Sequence, residues 1–77
     1  MEIYYQNKVV GDIQIINGTV AKGNTVIFTS DAFSNLNDKN TYQIHYSNEV
    51  LDLEITKINQ GISKDKLNKT FFEANIF

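Results

Sequence analysis

His45 is the single histidine of this chain, and Asp52 is the carboxylate that strand pairing would bring to it. A hairpin turn centred on Asn48-Glu49 sets the two opposite each other. A histidine held by a carboxylate is two-thirds of a nucleophilic triad, but it needs a nucleophile and an enclosed pocket to act. Ser47 sits at the open turn, so the pair reads as an exposed cross-strand contact. Asp52 and Glu54 are spaced as paired acids on one strand face, which is also the pattern of an ordinary solvated face. Lys64, Lys66 and Lys69 beside Phe71 and Phe72 offer phosphate contacts and stacking surfaces. That cluster is short, contains no arginine and is joined to an acidic body, so it reads as a solvated loop. Gly18 and Gly23 belong to turns and form no phosphate-binding spacing. With no cysteine, disulfides and thiolate metal sites are excluded. A zinc site would have to be assembled from carboxylates. The sequence therefore assigns no catalytic, cofactor-binding or metal-ligating residue, and no enzymatic activity.

The aromatic residues carry more information. Four tyrosines and five phenylalanines compete for one small core. If Phe72, Ala74 and Ile76 point inward along a last strand, alternation sends Phe71 and Phe77 outward. Adjacent Tyr4 and Tyr5 cannot both face inside. Exposed rings point to a protein–protein surface, with Phe71, Phe77, Tyr4 and Phe33 as its expected members. Free backbone groups on a terminal strand would also let it add to a neighbour's sheet.

These side chains need a frame, and the frame reads as β-structure throughout. Residues 42–58 form the clearest hairpin, with Tyr46 opposite Leu51, Ile44 opposite Leu53 and Tyr42 opposite Ile55. That pairing sorts apolar residues to one face and polar residues to the other. Met1–Tyr5 and Val9–Ile16 flank a loop at Gln6-Asn7-Lys8, with Tyr5 facing Val9. Asn17-Gly18 is a type I′ turn signal, and Lys22-Gly23-Asn24 a second turn. Thr25–Thr29 is β-branched and aromatic, as suits a central strand. Asp31 opens a stretch with Phe33 and Leu36 that fits one capped helical turn over a barrel end. Gly61 breaks the chain, Ser63–Lys69 is a polar loop, and no internal repeat or linker is evident. The expected fold is all-β: a single domain, residues 1–77, as a small antiparallel barrel or sandwich of five to six short strands with room for one short helical turn.

Size and charge bound the function further. A domain of this length buries only about 60% of the surface its unfolded chain exposes, so association is the expected extra support. The net charge is −2. Residues 1–56 hold three lysines against seven acids, a balance of −4. Residues 57–77 hold four lysines against two acids, a balance of +2. All the cations are lysine, which argues against nucleic-acid recognition. No apolar run approaches the ~20 residues that cross a bilayer. The N-terminus lacks the features of a signal peptide. A virion or host-cytoplasm location is expected, with the Asn17 and Asn68 glycosylation sequons as chance matches.

From Asn24 onward the order of elements resembles the small head–tail connector or minor capsid proteins of tailed phages of low-GC Gram-positive bacteria. The resemblance rests on Asn24-Thr25-Val26-Ile27-Phe28 followed by Asp31, the hairpin Tyr42–Ile58, and Phe71-Phe72-Glu73-Ala74-Asn75-Ile76. It implies a phage structural adaptor of the neck or tail, partnered by copies of itself or by virion neighbours. The chain is shorter before Asn24 than such proteins, and no functional residue is carried over. The alternative is a small phage-encoded inhibitor of a host or defence protein, presenting Asp12, Asp31, Asp38 and Glu49 to a basic groove. A single-stranded nucleic-acid-binding barrel is a third and weaker reading.

Overall fold

Two four-residue tight turns set the architecture. In the computed structural model, which describes residues 1–32, 36–62 and 68–77, Gln6 and Asn7 have φ of 51° and 66°, and Ser47 and Asn48 have 52° and 64°. Positive φ at both central residues defines the type I′ turn, whose twist matches that of the strands it joins. The first turn links β1 (Glu2–Tyr5) to β2 (Lys8–Asn17), and the second links β4 (Thr41–Tyr46) to β5 (Glu49–Ile62). Strands β3 (Thr25–Ala32) and β6 (Asn68–Ile76) complete the set. All pairings are antiparallel, and they close a barrel in the order β1-β2-β3-β6-β5-β4. The fold is the expected small all-β barrel. No helix occurs among the described residues. Asp31 lies in β3 opposite Asp12, and residues 33–35, where one helical turn is expected, lie outside the described residues. Leu36 joins the core, buried at 7% exposure. Asn37 Oδ1 stabilises the turn behind it by accepting from the Lys39 and Asn40 amides.

The core is apolar throughout. Ile3, Val26, Phe28, Ile44, Leu53 and Ala74 are fully inaccessible, and no polar side chain is buried among the described residues. Phe28 stacks on Phe72 across the β3–β6 pairing, with ring centroids 5.1 Å apart. The alternation of β6 is as expected, with Phe72, Ala74 and Ile76 inward.

Several expected registers move. The β4–β5 turn is Ser47-Asn48, so Tyr42 faces Leu53, Ile44 faces Leu51 and His45 faces Val50. The shift is by two residues, which preserves every face and changes every partner. Tyr46, expected inside, pairs with Glu49 at the barrel end and is 41% exposed. The first hairpin likewise uses a two-residue turn, with Tyr5 opposite Lys8 and Tyr4 opposite Val9. Asn17-Gly18 is no hairpin turn: Asn17 ends β2, and only Gly18 has positive φ. A Cβ on Gly18 would stand 2.5 Å from the Thr25 carbonyl oxygen, so close backbone approach is what requires glycine there. Gly23 occupies the third position of a turn closed by the Asn24 amide donating to the Ala21 carbonyl, with the positive φ of a type II turn. Gly61 does not break the chain. It lies within β5, and the Phe71 ring fills the space its missing side chain leaves.

The chain also contains a repeat that direct alignment of its two halves does not show. β1-β2-β3 and β4-β5-β6 are two three-stranded meanders, and a pseudo-two-fold axis relates them. The axis passes through the pair Ile3–Ile44 and the pair Ile27–Glu73, each of which maps onto itself. Under this operation Ile3, Tyr5, Asn7 and Val9 correspond to Ile44, Tyr46, Asn48 and Val50. Asp12 and Ile15 correspond to Asp52 and Ile55. Val10, an extra residue at the β1–β2 register shift, changes the offset by one. The later register shifts, at Ile16 in β2 and Thr56 in β5, also fall at equivalent positions.

Leu53→Ala should destabilise the domain by about 2–5 kcal/mol, a large share of the roughly 5–15 kcal/mol typical of a domain; denaturant midpoints measure it. Replacing Ser47-Asn48 by Asn-Gly should raise stability by up to about 1 kcal/mol, because the left-handed conformation is costly for serine. An unchanged or lower midpoint would argue against the type I′ turn at this position.

Candidate functional site

The residues with chemical potential all lie on the outer wall. Register places His45 opposite Val50, while Asp52 faces Gln43, whose Nε2 donates to Asp52 Oδ1 at 3.3 Å. The expected His45–Asp52 pair is therefore not formed, because the turn residue with the left-handed preference, Asn48, takes the second turn position rather than the first. His45 instead stacks on Tyr4 of the neighbouring β1, with ring centroids 4.2 Å apart and planes 12° from parallel. Asp52 and Glu54 share the solvated face of β5, as expected. No group of three or more His, Cys, Asp or Glu side chains could hold a metal ion among the described residues.

Tyr4 is half-buried against His45, and Tyr5 packs inward against Tyr42, with centroids 5.6 Å apart. Tyr42 is buried, and its hydroxyl accepts from the Asn37 amide at 3.0 Å. Phe71 projects outward but is half-buried, its ring lying over Gly61. Phe77 is 52% exposed. Phe33, Lys64 and Lys66 lie outside the described residues. Lys69 belongs to β6, not to a loop.

The C-terminal strand has no free edge over Phe71–Asn75. It pairs with β3 on one side and β5 on the other. Beyond it, the Ile76 amide donates to the Asn24 carbonyl and the Phe77 amide to the Asp52 carbonyl. Addition of this stretch to a neighbour's sheet, expected from its terminal position, is thus ruled out by barrel closure. Over this stretch only side chains are on offer.

Two outer features were not anticipated. Val9, Tyr4, His45 and Val50 form a continuous band across β2, β1, β4 and β5, with Val50 62% exposed. Register also aligns Glu2, Asp12 and Asp31 across β1, β2 and β3. The Met1 ammonium lies 2.9 Å from Asp12 Oδ1 in that row. Asp38 is exposed on the loop before β4, and Glu49 starts β5. Comparison with protein-family models, curated proteins and solved structures returned no match.

A Tyr4→Ala/His45→Ala double-mutant cycle should return a coupling of about 0.5–1.5 kcal/mol for the stacked rings. His45→Ala and Asp52→Ala should instead be additive within about 0.5 kcal/mol. Phe71→Ala should cost about 1 kcal/mol by uncovering the Gly61 backbone. Chemical denaturation of each variant provides the comparison.

Proposed function

We propose that the chain is a non-enzymatic protein-binding module, in its most specific form a structural adaptor in the neck or tail of a phage. Its partners are copies of itself or neighbouring virion proteins, in the virion or the host cytoplasm. The observation that carries the binding reading is the outer band of Val9, Tyr4, His45 and Val50, in which Val9 and Val50 are each at least 36% exposed. A contiguous exposed apolar band marks an interaction surface, whereas singly scattered apolar residues do not. The finer, viral reading is supported by the strand pattern from Asn24 onward.

The inhibitor reading has one observation of its own, the aligned row of Glu2, Asp12 and Asp31. Like charges directly opposite in a sheet cost stability, and presenting acids to a basic groove would be a reason to keep them. Of the other acids expected on that face, Glu49 starts β5 at the same barrel end as Glu2, because β1 and β4 are antiparallel and Glu49 pairs with Tyr46 at the end of β4.

Purified particles of a phage encoding the chain decide between these readings. A structural adaptor should remain with the particles through density-gradient purification, at a fixed ratio to the capsid protein. An inhibitor should be absent from particles and co-purify with one host protein in a complex that salt disrupts. Phe77→Ala should leave circular dichroism unchanged and weaken the relevant contact at least ~tenfold if the exposed ring is an anchor.

A further inference from the structure

β5 outruns the strands beside it. Its pairing with β4 stops at Thr41 opposite Glu54, and β3 leaves β6 after Thr29 opposite Phe71. Beyond those points β5 and β6 continue alone, through Gln60–Thr70 and Gly61–Lys69 to Ile62–Asn68. The first half of the chain has no such ribbon: β2 ends at Asn17, and the chain turns at Gly23. Barrel closure therefore does not call for it, and two strands without a third are marginal in water. Along a strand, side-chain face and hydrogen-bond direction alternate together. Tyr46 and Glu49 exchange bonds across the tight turn, so Leu51 and Leu53, on the same face as Glu49, also direct their backbone groups to β4. That face is the inward one. Ile58 shares it, since its partner Phe72 points inward. Ile58, Gln60 and Ile62 thus direct their N–H and C=O groups to the β4 side, where no strand pairs with them among the described residues.

We propose that this edge pairs with the same edge of a second copy, antiparallel about a two-fold axis at Gln60. An open edge is satisfied by another strand. Charges and prolines, which keep sheet edges apart, are missing from Ile58-Asn59-Gln60-Gly61-Ile62, and Thr56 through Gln60 are all exposed. The strand that fits is uncharged, with an apolar–amide–apolar alternation. This stretch, turned about Gln60, is such a strand: Ile58 lies opposite the partner's Ile62, Gln60 opposite the partner's Gln60, and Asn59 opposite the partner's Gly61. A dyad at Gln60 also uses all three sets of edge groups, while Lys57 and Lys64, the nearest charges in the sequence, fall outside the paired stretch. The two ribbons merge into one four-stranded antiparallel sheet, which gives each hairpin the further strands it lacks. The contact is isologous and closes at two copies. With no charge pair in it, its affinity changes little with salt. The proposal rests on the reading of the chain as a protein-binding module and supplies one of its partners.

Sedimentation velocity of the full chain, at concentrations up to about 1 mM, tests it with two substitutions at the axis. Gln60→Lys and Gln60→Glu should each keep the wild-type circular dichroism and weaken dimerisation at least ~tenfold, since each sets like charges directly opposite. Mixing the two variants should restore dimerisation, because a Gln60→Lys chain and a Gln60→Glu chain then meet through opposite charges. Within a chain Gln60 pairs with Thr70, so the rescue cannot arise inside one copy. In the wild type, amide exchange should slow with rising concentration at Ile58, Gln60 and Ile62. A dimer that neither substitution weakens, or whose three amides exchange as in the monomer, would overturn the assignment of this edge. A wild-type chain that stays monomeric, with no association of the mixed variants, would overturn self-pairing altogether. Particle association, measured separately, would still decide the module reading.

Discussion

Closure of the barrel at the β1–β4 seam is the constraint on which the rest of the structure depends. Only Ile3–Ile44 and Tyr4–Gln43 are paired there, whereas the other seam between the meanders, β3–β6, has five pairs from Thr25 to Thr29. Two pairs provide few hydrogen bonds, so the seam must be held mainly by what lies beneath and above it. Beneath are Ile3 and Ile44, both fully buried, each worth roughly 1.5–3 kcal/mol of apolar transfer. Above is the Tyr4–His45 stack. Without this seam, β1 and β4 would be open edges, and the core under them would face water. In a chain with no cysteine, no covalent staple could compensate.

The pseudo-dyad explains how so short a chain closes at all. Each meander has two edges, and two-fold pairing matches β1 with β4 and β3 with β6, so all four edges are used. The duplicated residues include those that closure and turning demand: isoleucine at the β1–β4 seam, asparagine in the type I′ turns, and apolar residues facing inward. Where the halves differ along the β3–β6 pairing, the difference is compensated. Phe28 is equivalent to Ala74 and Phe72 to Val26, so each half contributes one ring and one small residue to the β3–β6 pairing. Residues 1–40 hold three lysines and four acids, and residues 41–77 four lysines and five acids, so both halves carry −1. The charge asymmetry about residue 56 therefore does not follow the structural division.

What was legible in the sequence was parity; what was not was position along the strand. Alternation in Tyr42–Ile44 and Leu51–Ile55 fixes which face is buried, because a one-residue slip reverses it. A two-residue slip reverses nothing, and the choice between turns at Ser47-Asn48 and Asn48-Glu49 rests on which pair tolerates positive φ. Glutamate tolerates it poorly, and reading the turn by that chemistry would have given the right register. Tyr46 and the His45–Asp52 pair were misplaced by this one choice. The repeat was hidden for a related reason, since the extra Val10 shifts the alignment midway and only the paired register reveals it. Gly61 looked like a break because the Phe71 ring that covers it comes from the next strand. The outer band could not be read from any one segment, as its residues come from four strands.

The same duplication gives a way to separate what the fold requires from what it does not. Both halves meet the same demands of turning, pairing and packing, and many equivalent core positions are alike, as Ile3 and Ile44, Ile13 and Leu53, and Ile15 and Ile55 are, although Gly11 and Leu51 are not. Lys8 and Glu49 are exposed beside type I′ turns, on the same side of their strands as their partners Tyr5 and Tyr46. Tyr4 and His45 stack on one another, which two tyrosines would also do. Differences at these positions have no cause inside the barrel, so their cause is to be sought outside it. Exposed Ile58 and Phe77 lie where the second half departs from the first, so they too owe nothing to closure of the barrel.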